Sequence, residues 1–530
     1  MRGARAAPLV AALGVLLLVT GPAAAQDASD RTAVLVVVDD LTFEGAVADP
    51  SIGPLARSGG IGLMTNADPL SIPRPLPGLT VVRGPAEAVA EAVSGLEGEA
   101  LMIVAGTDSG EGGATPLVMA RVEPGVLSDT AGEPSGLTSG TTGRDGVVSS
   151  LDVEPSIRVF LGLTPGVGPG APIRIEGEAP TALAERYGEW RRSAAPVGLA
   201  VLIFALASLA AALVLAIGPW TGAGRLVSLW VLFSTAVLVA LVPAGLLPDL
   251  RLPVVLAAIA VIAALVTAGA LAAGGASTTR PVALVAGTGL ALVVLDAAFG
   301  WPTGLTPLLG GSALEGIRFF GLGNPYAGIV LSGAVLVAAL VRPWAGVALL
   351  LGAALFAGLP FLGADLGGGL TLFAAATLWY SLRFRGRFGW REVVLTAAAL
   401  LAGLALLVAA HTVLPSGATH VARAVEGAGP GDLVELFLHR LRLNLEATSA
   451  VPTAWLAVLG LPAWLAVAWR RPGRFREPLE RDEAWRQAAA VLAVGGMLGY
   501  VLNDTYGMAA VTFVFVSAAM VIPTLRWTNG

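Results

Sequence analysis

The sequence predicts two units in series: an exported α/β domain, then an all-α polytopic membrane bundle of about eleven helices. Three observations carry that prediction. The chain is 55% hydrophobic and only 13% charged over 530 residues, which is membrane-protein composition and too long for one ordinary domain. From Pro196 onward apolar segments of spanning length succeed one another, whereas residues 26–192 alternate short apolar runs with turn-rich and helical stretches. Arginines also gather in every second connection between the apolar segments.

Residues 1–25 have the parts of a secretory signal. Arg2 and Arg5 precede an apolar run from Pro8 to Thr20, and Ala23-Ala24-Ala25 stand before Gln26. Cleaved or kept as an anchor, this segment directs residues 26–192 to export. Within 26–192, "TAVLVVVDD", "GGIGLMT", "LTVVRG" and "ALMIVAGT" read as strands and "PAEAVAEAVSGLE" as a helix, a mostly parallel layered arrangement. "PLVMARVEP" and "PIRIEG" add further strands, Ser128–Gly146 reads as loop, and Thr181–Arg192 as a juxtamembrane helix.

Two blocks of this domain resemble the ends of an alkaline-phosphatase-like domain of the sulfatase and phosphodiesterase superfamily. Asp39-Asp40 close an apolar strand ahead of "PSIGPLARSGGIGLMT", and "TTGRDGVVSSLDVEPSIRVFLGLTPGVGPGAPI" contains Asp152 to Ser156 in an Asp-x-x-Pro-Ser pattern. The resemblance implies a truncated domain of that fold, with a metal-binding aspartate after the first strand. Catalytic members hold two metal ions with histidines as well as aspartates, and residues 26–192 contain no histidine. The position of the family's Asp-His pair corresponds to Thr107-Asp108-Ser109. Carboxylates alone suit Mg²⁺ or Ca²⁺ rather than zinc, so Asp39, Asp40 and Asp108 are the candidate metal ligands. The domain therefore reads as a non-catalytic binding module. The alternative is residual metal-dependent activity, with Thr65 or Ser71 as nucleophile.

The bundle, residues 193–530, is expected to span at about 196–218, 226–247, 252–273, 281–299, 323–341, 344–360, 367–381, 392–410, 451–469, 484–502 and 507–524. With the first domain outside, the inner connections hold Arg225, Arg280, Arg342, then Arg383, Arg385, Arg387 and Arg391, then Arg470, Arg471, Arg474, Arg476 and Arg481. That satisfies the positive-inside rule and places the C-terminus in the cytoplasm. Unusual polar residues then share the outer side: Asp296, Arg318, Asn324, Tyr326, Asp365, Asn503, Asp504 and Tyr506. Charged groups near hydrocarbon need partners or a wet cavity, so their shared leaflet predicts an outward-facing cavity. Gly367, Gly368 and Gly369 read as permitting close helix packing.

The long outer loop 411–450 holds the chain's three histidines, His411, His420 and His439. From Asp432 it has helical periodicity, with Asp432, Glu435, His439, Arg442 and Glu446 along one face. Having no cysteine excludes disulfides, thiol nucleophiles and cysteine-ligated metal. The net charge of −5 argues against a nucleic-acid partner. All basic residues are arginine, a usage that says little about partners.

"RFFGLGNPYAG", "LPFLGADLGGGLTL", "HRLRLNLEATS" and "LNDTYG" resemble blocks in a group of actinobacterial-type polytopic membrane proteins with an exported alkaline-phosphatase-like domain. A looser similarity is to O-antigen ligases and polymerases, whose outer arginines contact the diphosphate of a lipid-linked glycan without a metal. That similarity implies a polyprenyl-linked glycan or other envelope component as partner, with Arg318 matching the arginine of the first block and Arg440, Arg442 and His439 those of the loop; Asn324, Arg440, Arg442 and Asn503 are the expected substrate contacts. Arg318, Asp365, His439 and Asp504 are the candidates for chemistry. The expectation is thus an integral protein of the cell envelope that acts on or binds a lipid-linked or anionic substrate at the outer leaflet. A transporter or flippase of such a molecule and a non-catalytic scaffold or sensor are the alternatives.

Overall fold

The computed structural model describes residues 31–65, 76–107, 114–123, 132–164, 170–217, 224–247, 249–315, 321–386, 389–413, 430–503 and 505–527. The predicted signal segment lies outside them. Two compact units result: residues 1–140 with 145–179, and residues 141–144 with 180–530.

The first unit is built on one mixed sheet. Its strands are β1 (Thr32–Asp39), β2 (Gly60–Thr65), β3 (Leu79–Arg83), β4 (Ala100–Thr107), β5 (Thr115–Val122), β6 (Ser135–Ser139), β7 (Val147–Ser149) and β8 (Ile173–Glu178). The order is β3-β1-β4-β5-β2-β6-β8, with β7 also on β2. Helices α1 (Phe43–Ala48), α2 (Gly53–Ser58), α3 (Glu87–Ser94) and α4 (Val153–Phe160) complete it. The sheet is less parallel than its sequence predicts. β1 runs parallel to β3 and β4, but β5 is antiparallel to both β4 and β2. The reason is chain length. Residues 108–114 are too few for a parallel crossover, which takes a dozen or more, so β5 must turn back beside β4. A second difference is β6, a strand within the stretch expected to be loop. β8 is an edge strand whose exposed Arg174, Glu176 and Glu178 discourage further pairing.

The core lies against α4. Val153, Ile157 and Phe160 recur at helical spacing and pack on Leu35, Ile103 and Leu137 from the sheet. Asp152 fixes that helix. Its carboxylate accepts from the backbone N–H of Ser149 (2.8 Å) and of Ala171 (2.9 Å), while Ser156 Oγ accepts from Ile173 N (2.9 Å). The Asp-x-x-Pro-Ser pattern thus staples the chain on both sides of α4.

The second unit is helical: α5 (Thr181–Ile217), α6 (Gly224–Ala244), α7 (Leu252–Gly274), α8 (Arg280–Ala298), α9 (Asn324–Ala338), α10 (Pro343–Gly358), α11 (Leu366–Tyr380), α12 (Trp390–Val413), α13 (Pro430–Ala450), α14 (Ala454–Arg470), α15 (Arg476–Arg481), α16 (Glu483–Leu502) and α17 (Gly507–Trp527). The predicted juxtamembrane helix runs on without a break into the first apolar segment as α5, and the first compact unit ends at Ala179. Among the described residues six helices are long and apolar enough to cross a membrane. There are seven if residues 441–450 and α14, bent by 112°, make one span; α9 and α10 are apolar but shorter. α17 is central, with 89% of its apolar window buried, whereas only 11% of that of α12 is. The outward side chains of the peripheral helices, such as Leu265 and Leu401, are large and apolar, as a lipid-facing surface requires.

Candidate functional site

The site grows from the end of α8. Trp301 N–H donates to Asp296 O (2.9 Å) and Gly300 N–H to Ala297 O (3.0 Å), the paired bonds of a Schellman stop. Gly300 supplies the left-handed residue at φ 79°, and Trp301 comes next at φ 62°. This turn folds the next residues back over the helix end. Thr303 then meets Asp296 twice: its N–H donates to Oδ1 (3.1 Å) and its hydroxyl to Oδ2. Two donors on one carboxylate offset part of the cost of burying Asp296 near the negative end of a helix.

Arg144 completes the corner. Although encoded between β6 and β7, it belongs to the second unit. Its Nη2 donates to Trp301 O (3.1 Å). Burial lowers the Arg144 pKa and the negative charge of Asp296 opposes that shift; a guanidinium remains protonated either way.

These groups border a cavity of about 690 Å³ that lies wholly in the second unit. Its polar end holds Arg144, Asp296, Thr303, Asn324, Tyr326 and Thr505. Val201 and Ala205 of α5, Leu238 and Leu241 of α6, and Val511 and Val514 of α17 form aliphatic walls. α9 and α17 begin side by side at the polar end, where Asn324 Nδ2 donates to Thr505 Oγ1 (2.7 Å). The loop after Thr303 is pinned from α5: Trp190 Nε1 donates to Pro307 O (2.7 Å), and Arg186 Nε to Thr306 Oγ1 (3.2 Å).

Of the sequence-predicted site residues, Asn324 lines the cavity. Asp365 is buried one layer behind it. It caps α11 by accepting from Gly368 N–H (3.1 Å), and the turn before it supports two lining residues. Leu362 O accepts from Trp301 Nε1 (3.0 Å), and Gly363 O from Leu322 N–H (2.7 Å), next to Gly321. Asn503 is buried as well, donating to Gly499 O (2.9 Å), with its own carbonyl taken by Asn444 (3.3 Å). Arg442 is exposed and paired with Glu446 on its own helix (2.8 Å). The helix predicted from Asp432 is present as α13, and His411 falls in the last turn of α12. Arg318, Asp504 and His420 lie outside the described residues, as do the side chains of His411, His439 and Arg440.

The candidate metal ligands of the first unit are placed less favourably. Asp39, half-exposed at the end of β1, accepts from Arg83 Nη2 (2.9 Å) and Thr107 Oγ1 (2.6 Å). The Arg83 bond first, then that of Thr107, holds its carboxyl below the usual range. A guanidinium in that place opposes a metal cation by simple repulsion. Asp40 is exposed, Thr65 is fully buried at the end of β2, and Asp108 and Ser71 lie outside the described residues. Among the described residues no group of three His, Asp or Glu side chains is arranged to hold a metal.

Sequence reasoning singled out Asp296, Tyr326 and Tyr506 as unusual polar residues on one side, and all three line the cavity. It missed Arg144 and Thr303. Thr303 carries a readable signal, a hydroxyl a few residues beyond a helix that ends in a carboxylate. Arg144 carries none, because its partner Trp301 is 157 positions away. No protein-family model, curated protein or solved structure matches this chain.

Proposed function

We propose that this protein binds an amphipathic envelope lipid, lipid-linked or otherwise anionic at its head, within the cavity of its second unit at the outer leaflet of the cell membrane. One observation carries the reading: a single cavity joins aliphatic helix walls to a polar end containing Arg144, Asp296 and Asn324. A fully apolar ligand would press hydrocarbon against the hydroxyls, amide and guanidinium of the polar end, and a small polar metabolite would waste the aliphatic walls.

The orientation rests on arginine. With Arg225, Arg342, Arg385 and Arg474 at the cytoplasmic face, the starts of α9 and α17 face outward, residues 26–192 are extracytoplasmic, and the C-terminus is inside. Eleven spans fit this order, taken as α5–α12, α14, α16 and α17. The shorter α9 and α11 are covered by their neighbours, α10 keeps one face with Trp344, Leu351 and Leu355 exposed, and residues 1–25 serve as the secretory signal. The first unit then serves as a phosphatase-like but non-catalytic binding module, supported by the absence of histidine from Gln26 to Arg192 and the Arg83 partner of Asp39.

Mass spectrometry of gently solubilised full-length protein tests the reading. A stoichiometric lipid should co-purify, and Ala205→Trp, which fills the cavity from α5, should displace it. Absence of lipid from folded protein, or lipid retained unchanged in the filled variant, would overturn it.

A further inference from the structure

The polar end of the cavity is asymmetric in a way that names a head group. Arg144 and Asp296 are the charged side chains among the described lining residues, and their formal charges cancel. Asp296 is committed to the wall, because Thr303 occupies both of its oxygens. The rest of the polar border consists of hydroxyls, the Asn324 amide and two helix starts. Tyr326 lines the cavity with a buried hydroxyl whose near neighbour, the Thr303 hydroxyl, is turned to Asp296 and does not meet it at hydrogen-bond geometry. The first turns of α9 and α17 border it too, held together by Asn324 and Thr505. Helix starts carry a partial positive charge, so two side by side leave a positive potential that an anion relieves, even though Pro325 has no N–H and that of Gly507 donates to Thr505 Oγ1 (3.5 Å). A guanidinium adds a flat fork suited to two oxygens of one anion.

Resting on the reading that the cavity holds an amphiphile, we propose that its polar end takes a phosphate group, with Arg144 and Tyr326 selecting phosphate over an uncharged head. The ligand's chain lies along the aliphatic faces of α5, α6 and α17. Phosphate chemistry is shared by lipid phosphate esters and by free phosphate, and the aliphatic walls favour the ester.

The test measures calorimetric binding of dodecyl phosphate, dodecanol and inorganic phosphate to full-length protein in a maltoside detergent. Dodecyl phosphate should bind about 30-fold tighter than dodecanol, the size of one charge-assisted contact, and inorganic phosphate far more weakly than either. The quantity read is the phosphate-to-alcohol ratio, which a general loosening of the fold leaves in place. Arg144→Gln should collapse the ratio to within about threefold of unity, and Arg144→Lys should restore part of it. Tyr326→Phe, an isosteric change that carries the test if Arg144 variants fail to fold, should lower the ratio about fivefold. A wild-type ratio near unity, or one unmoved by these substitutions, overturns the inference and leaves the amphiphile reading standing. Equal affinity for inorganic and dodecyl phosphate overturns the lipid source. Failure of both dodecyl probes to bind overturns the reading beneath it.

Discussion

Thr303→Val removes one hydroxyl from the wall of the cavity and nothing else of size. The lost bond runs from a neutral O–H to the buried carboxylate of Asp296, while the Thr303 N–H stays on Oδ1 at 3.1 Å. A hydrogen bond to a charged partner contributes about 1.5–3 kcal/mol, and valine fills the same volume, so no cavity term is added. In an Asp296→Asn background the same substitution removes a neutral bond, which contributes only about 0.5–1.5 kcal/mol. The two changes should therefore be coupled by roughly 1–1.5 kcal/mol in a double-mutant cycle. The assay is the thermal melt of full-length protein in one detergent, monitored by tryptophan fluorescence. Trp301 sits in the loop that Thr303 anchors, so local loosening should register in the same signal. Thr303→Val should lower Tm by about 2–4 °C. Equal cost in both backgrounds would refute the claim that Thr303 matters through the charge of Asp296.

Asp152→Ala leaves two backbone donors without their acceptor, at Ser149 and Ala171, and should raise hydrogen exchange at β7 and at the start of β8; unchanged protection there would show that the staple is redundant. Gly367→Ala would press a methyl against Asn503 Oδ1 and bring it to 2.6 Å from Leu502 O, so it should cost about 1–3 kcal/mol in a melt. For Arg83→Gln the effect depends on pH. Because the Asp39 carboxyl is held below its ordinary value, the stability from the pair is present above pH of about 4 and lost as pH falls through the lowered value. The variant should therefore trail the wild type at neutral pH and match it in acid; a constant gap across pH would exclude the ion pair as its cause. Purified protein should not hydrolyse phosphate esters in the presence of zinc, and turnover with stoichiometric bound zinc would overturn the non-catalytic reading of the first unit.

Much of the fold was legible because hydrophobic periodicity reports it directly. Each expected apolar segment of the bundle carries a helix, and runs such as "TAVLVVVDD" and "ALMIVAGT" became the buried strands β1 and β4. Strand direction was harder, since β5 has the same apolar composition as its neighbours. The short 108–114 connection held that information, rather than the strand itself. At the site, position along the chain marked Asp296, Asn324 and Tyr326 through their shared end of the bundle. Pattern could not separate Asp365, a helix cap, from Asp296, a cavity residue, because both are lone acids at helix ends. The sequence shows which acid sits near a helix end, whereas the partner that gives it a role comes from tertiary packing.

Arg144 shows most plainly why order along the chain misled. A boundary drawn by composition assigns everything before the first apolar helix to the exported domain, and by that rule an arginine in "TTGRDG" belongs there. In the structure the chain passes from the first unit to the second at Gly140, returns at Asp145, and passes over again after Ala179. Burying an arginine costs several kcal/mol unless acceptors and a counter-charge are present. The second unit provides both, in the Trp301 carbonyl exposed by the α8 stop and in the carboxylate of Asp296. The composition of 141–144 gives no hint of this. The requirement arises in the bundle, where a buried acid at the end of α8 calls for a cation that residues 193–530 do not supply among the described lining groups. The cavity thus lies wholly in the second unit, while its cation is encoded inside the first.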